Sequence, residues 1–407
     1  MLIDPKPALE PVSNQYGWAR FVRLLYLRNI GDDIEKRLIH LALFHQYEKS
    51  NFIDEMSEQD KEDLRNRKAI LLLDFQSEYD NQPTSLFDFL HTQFNNNNIP
   101  PDCVIVVTGN KLLIEAYEEK KQQVHTPFYI MYSHIHLSAG WNLLNEKEEL
   151  DNTVDFLGED YEYNLFNKET FYPYEKYKTS PEEAYNYKKE NLDKIKTFLL
   201  HQRRSKPHRD FLTNLLQNQV NTWENNYCSY INKYGASEHN EELIMELMES
   251  KVSENLLNVV NSVYSFMADV KTRRNCFFDV VSETGVGDDY LGLTEKPFWA
   301  TMNSLPIILM GPKNSLQLFR DFGFQTFDKY IDESYDNLSG DERTHAVYNL
   351  IRQLEAIPQV EKLELYESMR PVLEHNYEMT KEHSLISKEN RYLESLLNEF
   401  SDILRRI

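Results

Sequence analysis

The residues best suited to bind an anion form one short basic run. Between Lys196 and Arg209 the chain carries five Lys and Arg side chains and no Asp or Glu. Arg203, Arg204 and Arg209 supply guanidinium groups, whose paired N–H donors match phosphate oxygens. The run follows an apolar segment and precedes a predicted helix, whose first N–H groups also attract anions. The pattern predicts a phosphate site, and a solvated charge run is the alternative.

A second candidate site is the loop from Ser282 to Pro297, between a predicted strand and a predicted helix. Glycines allow its backbone to approach a ligand closely; they are Gly285, Gly287 and Gly292. The carboxylates of Glu283 and Glu295 could accept hydrogen bonds from sugar or ribose hydroxyls, and Lys296 could neutralise a phosphate. The alternative is a helix N-terminus without a ligand, in which Thr294 is the cap and Glu295 complements the dipole.

Two stretches of alternating strands and helices position these residues. Short continuous apolar runs are typical of strands buried on both faces of a parallel sheet. They occur at 69–75, 103–107, 128–132, 196–200, 276–281 and 306–310, and helical patterns lie at 85–94, 112–119, 209–218, 253–271, 296–304 and 314–322. Ligands gather at the carboxyl ends of such strands, which points to 76–80, 108–110 and 133–136 in the first half. Residues 1–65 look helical and polar.

The composition limits the classes of protein that remain. The 407 residues suggest two domains, and 41% hydrophobic residues are enough for sizeable cores. The 66 acidic and 44 basic residues give a charge of −22, which argues against broad coating of nucleic acid but allows a local basic site. Three cysteines without CxxC spacing, no apolar run long enough to span a membrane and no basic leader predict a cytoplasmic protein.

The second candidate loop also resembles a known motif. The segment 278–296 is similar to the donor-binding motif of the α1,3-fucosyltransferase family, in which a strand ends in Phe-Glu-Asn and a Tyr-x-Thr-Glu-Lys box opens the next helix. Here the first element is Ser282-Glu283-Thr284, and three residues separate Tyr290 from Thr294-Glu295-Lys296. The strand that ends at Gly311 resembles the family's following stretch.

The resemblance extends over about residues 196–336. The segment 198–212 resembles the first strand of the family's donor domain and the Arg that meets the donor diphosphate, here Arg209. The stretch 320–328 also looks like glycosyltransferase-like proteins of large phages and other DNA viruses. For this chain the resemblance implies a GT-B-like α/β fold, with two Rossmann-like domains facing a cleft and additional N- and C-terminal helices.

The domains implied are an acceptor-side domain over 1–190, a nucleotide-sugar-binding domain over 191–340 and C-terminal helices over 341–407. On this resemblance Arg209 and Lys296 bind the diphosphate, and Glu283 and Glu295 the ribose or sugar. The donor-binding set is completed by neighbouring residues, namely Arg203, Arg204, Thr284, Tyr290 and Thr294.

Sugar transfer also needs a base for the acceptor hydroxyl, and the base is expected in the opposing domain. Glu78, after a predicted strand, is the first choice, and His134 or His136 is the second. A surface Glu and two polar loop histidines are the alternative. The pair Asp288-Asp289 suits solvation better than metal binding. GT-B enzymes, which the resemblance implies, generally need no metal, so we expect no metal or other cofactor.

The acceptor is left open between two classes. A glycan or small molecule suits the acidic charge and the abundance of aromatic residues, since sugars stack on Tyr and Trp. Glycosylation of hydroxymethylated pyrimidines in DNA is the alternative, for which the basic residues at 61–68 and 203–209 could flank a groove. For a viral protein the location is the host cytoplasm. A non-catalytic GT-B-like binding module, with a helical C-terminus that docks another chain, is a further alternative.

Overall fold

The computed structural model of the protein describes residues 3–4, 36–42, 52–54, 56–75, 85–132, 179–202, 205–231, 237–239, 270–294, 296–382 and 391–407. Within these residues the chain forms two compact units. Unit 1 contains the described residues of Met1–Ala139, Asp288–Gly292 and Glu389–Ile407. Unit 2 contains those of Gly140–Gly287 and Leu293–Lys388.

Unit 1 is built on a parallel sheet. Its strands are β1 (Ile3–Asp4), β2 (Arg37–Ala42), β3 (Ala69–Phe75), β4 (Val104–Thr108) and β5 (Tyr129–Tyr132), and in the described part of the unit they pair in chain order. The helices between them are α1 (Glu58–Arg65), α2 (Ser85–Asn96) and α3 (Lys111–Lys120).

The apolar runs of unit 1 form strands because both faces of the sheet are covered. In β3 the residues from Ala69 to Leu73 are at most 1% exposed, and β4 is buried throughout. Leu71 pairs with Val104, so the two runs lie side by side in the sheet. Such burial on both faces is typical of parallel sheets.

Unit 2 contains a second sheet with one reversal of strand direction. Its strands are β6 (Lys196–Gln202), β7 (Tyr227–Ile231), β8 (Ser237–His239), β9 (Cys276–Ser282) and β10 (Ile307–Met310). Within the described residues they lie in the order β10-β9-β6-β7-β8, and β8 is antiparallel to β7 while the other pairs are parallel.

Helices cover this second sheet and complete the chain. In unit 2 they are α4 (Pro181–Glu190), α5 (Pro207–Gln217), α6 (Val220–Glu224), α7 (Val270–Arg274), α8 (Lys296–Met302), α9 (Ser315–Asp321), α10 (Gly340–Ala356), α11 (Gln359–Ser368) and α12 (Arg370–Glu382). The last helix, α13 (Arg391–Arg406), belongs to unit 1. Short 3₁₀ turns lie at Pro101–Cys103, Lys121–Gln123, Leu192–Lys194 and Ser334–Asn337.

The predicted class, α/β with two Rossmann-like domains, is confirmed, as are the C-terminal helices. The prediction that residues 1–65 are helical is wrong in part, because β1 and β2 lie there. The sequence RLIHLA of β2 mixes Arg37 and His40 with apolar residues, which hides a strand that is buried at Leu38 and Ile39. That the two domains face a cleft stays a prediction.

The units do not divide the chain at residues 190 and 340. Helix α4 belongs to unit 2, where the Tyr187 hydroxyl donates to the side-chain oxygen of Asn275 at 2.7 Å. Helix α10 belongs there too, because Arg343 donates to the Pro312 carbonyl at 2.7 Å. Long-range hydrogen bonds of this kind leave no mark in local composition, so the sequence placed these helices elsewhere.

No helix in the described ranges combines the length and the apolarity that crossing a bilayer demands.

Candidate functional site

The topology of unit 2 points to the carboxyl ends of two strands as a ligand site. After β6 the chain adds β7 on one side, and β9 later lies on the other side of β6. In open α/β sheets ligands bind at the carboxyl ends of the strands where the strand order reverses in this way. Here that place is the ends of β6 and β9, which are Gln202 and Ser282.

Arg209 binds the end of β9. Helix α5 begins at Pro207, a residue suited to the first helical turn, and places Arg209 in that turn. The Arg209 side chain is buried; its Nη2 donates to the Ser282 carbonyl at 2.8 Å and its Nε to the Ser282 hydroxyl at 3.3 Å. Because a buried guanidinium needs acceptors, this geometry holds one positive charge at the end of β9.

His208 binds Glu283, the residue that follows Ser282. Its Nε2 lies 3.0 Å from the Glu283 carbonyl oxygen, and since a carbonyl only accepts, this nitrogen carries the proton. Burial, with the charge of Arg209 as a further cause, lowers the pKa of His208 to about 4. The imidazole is therefore neutral at physiological pH and acts as a donor.

The buried histidine predicts a specific pH dependence. The folded pKa of about 4 lies below the ordinary 6.5, so stability is lost as pH falls from about 6.5 towards 4. Over that window His208→Gln should remove up to about 3 kcal/mol of the pH-dependent change in the free energy of unfolding. Urea denaturation of wild type and variant at several pH values measures it. Parallel pH profiles for the two proteins would contradict the assignment, and His345→Gln, at an exposed position of α10, is the control.

Glu283, Thr294 and Lys296 form a closed cluster. The Glu283 side chain is 1% exposed and accepts from the Thr294 amide at 2.9 Å and from the Thr294 hydroxyl at 2.7 Å. The Lys296 ammonium lies 3.5 Å from the same carboxylate and donates to the Thr294 hydroxyl at 2.8 Å. The Thr294 hydroxyl also accepts from the Lys296 amide at 3.4 Å, as expected of a residue that caps α8.

Taken with Arg209, the cluster has two cations and one anion around the end of β9. With His208 neutral, these side chains carry a net charge of +1 next to the start of α5, where Lys206 and Asp210 add one charge of each sign. A site of this kind attracts an anionic group such as a phosphate.

Gly311 lets the turn after β10 lie against Glu283. A Cβ at this position would lie 3.2 Å from Glu283 Cγ and 2.7 Å from the Ser315 hydroxyl. The Glu283 amide donates to the Met310 carbonyl at 2.9 Å, so the strand ends stay paired up to the site. Glycine is required here for a close approach rather than for a turn.

A buried ion pair between Arg343 and Asp336 stabilises the turn 311–314. Arg343 donates to Asp336 Oδ1 at 2.7 Å, in addition to the Pro312 carbonyl. Asp336 in turn accepts from the Leu316 amide at 3.1 Å through Oδ2 and from the Asn314 amide at 3.0 Å through its carbonyl. Neither side chain was predicted, because charged residues near the start of a helix are usually solvated.

The structure brings together part of the predicted donor-binding set. In unit 2 Arg209 contacts Ser282, and Glu283 contacts Thr294 and Lys296. Thr284 is half-buried beside Glu283. Tyr290 is buried in unit 1 instead, within the segment 288–292. Other predicted residues lie outside the described residues, namely Glu78, His134, His136, Arg203, Arg204 and Glu295.

In the basic stretch 61–68, three of the cationic side chains have partners within the protein. Lys61 is buried and lies 2.9 Å from the Glu58 carboxylate, and Arg67 lies 2.8 Å from Asp102. Arg65 donates to the Asn97 carbonyl at 2.9 Å. These three charged side chains therefore have partners within the protein.

Among the described residues, no group of three or more His, Cys, Asp or Glu side chains is arranged to hold a metal ion. The expectation that the protein needs no metal stays a prediction, because six of the residues assigned to the site lie outside the described ranges.

The chain is distantly similar in structure to known proteins. No protein-family model matches the chain, and no curated protein matches it. Among solved structures, an α,α-trehalose-6-phosphate synthase from Burkholderia multivorans is similar with a TM-score of 0.39 and 10% identity. The match covers 95% of this chain and 75% of that one.

Proposed function

We propose that the protein is a glycosyltransferase that moves a sugar from a nucleotide-sugar donor to the hydroxyl of a glycan or small molecule. The observation that carries the proposal is the cationic site at the strand-order reversal of unit 2. Arg209 is fixed on Ser282 and Lys296 on Glu283, two successive residues at the end of β9. The resemblance of 278–296 to a fucosyltransferase donor motif supports it from the sequence.

The site suits the departure of a nucleoside diphosphate. During transfer the bond between the sugar C1 and the diphosphate oxygen breaks, and its electron pair leaves with the diphosphate. The acceptor oxygen bonds to C1, and its proton passes to a base. Positive charges that are already in place stabilise the growing negative charge, and Arg209 and Lys296 supply them in this proposal.

Glu283 can still bind a hydroxyl of the ribose or sugar. A carboxylate accepts about four hydrogen bonds. The Thr294 amide, the Thr294 hydroxyl and the Lys296 ammonium use three of these positions. Glu283 therefore holds the loop first, and since its side chain is 1% exposed, a ligand hydroxyl reaches the fourth position only if the cluster opens.

The proposed base for the acceptor hydroxyl is Glu78, with His134 or His136 as the second choice, because each follows a predicted strand of the opposing domain. The proposal includes no metal, since Arg209 and Lys296 serve the leaving group. A donor-binding module without transfer activity is the alternative that the experiment below separates.

DNA as the acceptor is a less favoured alternative. It requires a basic surface along a duplex. Lys61, Arg65 and Arg67, which were assigned to such a groove, have carboxylate or carbonyl partners within the protein. Salt-sensitive retention on DNA would nevertheless restore it.

A panel of UDP-, GDP- and ADP-sugars tests the proposal by thermal unfolding. A donor that binds only the folded protein stabilises it by about 2.7 kcal/mol at 100 times its Kd. We expect a rise in Tm with one nucleotide class, followed by slow donor hydrolysis or transfer to an added acceptor. No rise with any donor would contradict the proposal, and a rise without hydrolysis or transfer would favour a binding module.

A further inference from the structure

The turn after β10 carries an exposed lysine, Lys313. Within the described part of the chain its ammonium has no carboxylate or carbonyl partner. The two cations already assigned to the site are held differently. Arg209 is 4% exposed and bound to Ser282. The Lys296 side chain is 16% exposed and bound to Glu283. Lys313 is therefore a cation that a dissolved anion reaches without any rearrangement of the protein.

The strand register places this turn beside Glu283, within unit 2. Met310 pairs with Ser282, and the Glu283 amide donates to the Met310 carbonyl at 2.9 Å. A Cβ on Gly311 would lie 3.2 Å from Glu283 Cγ. Lys313 follows Gly311 by two residues, which span at most about 7 Å. A ligand at the carboxyl ends of β9 and β10 would thus lie within reach of the Lys313 side chain.

The backbone on both sides of Lys313 is fixed by bonds that do not involve its side chain. Arg343 donates to the Pro312 carbonyl at 2.7 Å, and the Asn314 amide donates to the Asp336 carbonyl at 3.0 Å. Asn314 has a φ of 66°, a left-handed conformation that Asn adopts more readily than most residues. Because the turn is already ordered, binding a ligand here costs less conformational entropy.

A leaving diphosphate needs more positive charge than the buried side chains supply. A nucleoside diphosphate carries about three negative charges at neutral pH. Arg209, Lys296 and Glu283 are two cations and one anion, a net charge of +1. Lys313 raises this to +2, and without an acidic partner among the described residues its whole charge is available to a ligand.

We propose that Lys313 is a further donor-binding residue, whose ammonium contacts a phosphate oxygen of the nucleoside diphosphate. Arg209 and Lys296 keep their charges in place within the protein, whereas Lys313 adds a charge from the solvent side. That the bound anion is a sugar donor rests on the proposed function. That Lys313 binds a diphosphate does not.

The reactivity of the Lys313 amine tests the contact directly. Trace acetylation followed by mass spectrometry measures how fast each lysine is modified, with and without UDP, GDP, ADP or inorganic pyrophosphate. At ten times the Kd of a ligand that contacts Lys313, its modification should slow about tenfold, since only the free fraction reacts. Lys194 is the internal control, because it is exposed directly before β6, at the amino end of the sheet. Its rate should not change.

Substitutions measure the contribution to affinity. Lys313→Met should raise the nucleotide concentration that gives half of the maximal Tm rise about fivefold, and Lys313→Arg should stay within about twofold of wild type. The difference should shrink at about 1 M salt, where the Debye length is about 3 Å and an exposed contact is screened. Without ligand, Lys313→Met should have the Tm of wild type, because the side chain is exposed, whereas a purely structural lysine would lower it.

The outcomes separate this inference from the proposed function. Equal nucleotide affinity in wild type and Lys313→Met, or equal reactivity of the Lys313 amine with and without bound nucleotide, would overturn the inference and leave the proposed function intact. If wild type binds none of the three nucleotides, the proposed function fails. Inorganic pyrophosphate then decides on the lysine alone: protection of Lys313 but not of Lys194 supports the diphosphate contact, and unchanged reactivity of Lys313 refutes it.

Discussion

Lys296→Met should weaken binding of the nucleotide-sugar donor at least about tenfold, because a charge-assisted contact to phosphate contributes about 1.5–3 kcal/mol. In the structure the ammonium is held by the Thr294 hydroxyl and the Glu283 carboxylate, so its position is set before a ligand arrives. Methionine keeps the aliphatic length and removes the charge. The donor concentration that gives half of the maximal Tm rise measures the effect.

Two further variants make this result specific. Lys296→Arg keeps the charge and should recover part of the affinity, although a guanidinium has a different geometry. Lys194→Met removes an exposed lysine of the same unit and should leave donor binding unchanged. A donor affinity that is equal in wild type and Lys296→Met would remove Lys296 from the site, whatever the protein's activity.

The sheets could be predicted where the strands are continuous apolar runs. The segments that became β3 and β9 are covered on both faces, so nearly every side chain had to be apolar, and the pattern is local. In β7 the sequence YCSYI carries polar groups, and a pattern search passes over it. Its place next to β6 depends on pairing across the chain rather than on its own composition.

The site was predictable to the extent that its contacts are short-range. Glu283 and Thr294 are 11 residues apart, and the sequence placed both in one loop between a strand and a helix. Asn110 and Leu291 are 181 residues apart, and no local pattern connects them. The same applies to His208, whose partner is the Glu283 carbonyl 75 residues away. An unremarkable Asn or His becomes informative only when the fold supplies its partner.

The insertion relative to the resembled motif has a structural role. Where the fucosyltransferase box has one residue between Tyr and Thr, this chain has Leu291, Gly292 and Leu293. Leu291 and Gly292 belong to unit 1. The added length is therefore used by the contacts to Asn110 and Gly109, within the same unit.

Asp336→Ala should have the largest effect on stability, a loss of about 3–5 kcal/mol in the free energy of unfolding of unit 2. Arg343 is 1% exposed, and removing its carboxylate partner leaves a buried charge without compensation. The Leu316 amide loses its acceptor at the same time. Urea denaturation followed by Trp fluorescence and by circular dichroism measures the loss, since a chain with two units need not unfold in one step.

A double variant separates the cost of the unpaired charge from that of the lost packing. In the double variant Asp336→Ala with Arg343→Met neither charge of the pair is left buried. Its loss in the free energy of unfolding should be smaller than the sum of the losses in Asp336→Ala alone and Arg343→Met alone. Glu364→Ala, at an exposed position of α11, controls for the removal of a surface carboxylate and should stay within about 0.5 kcal/mol of wild type. Additive losses would show that the two side chains act independently. Arg343 binds the Pro312 carbonyl and Asp336 accepts from the Asn314 amide, so the pair also contacts the turn 311–314. Non-additive losses together with weaker donor binding in Asp336→Ala would show that the pair holds this turn against Glu283.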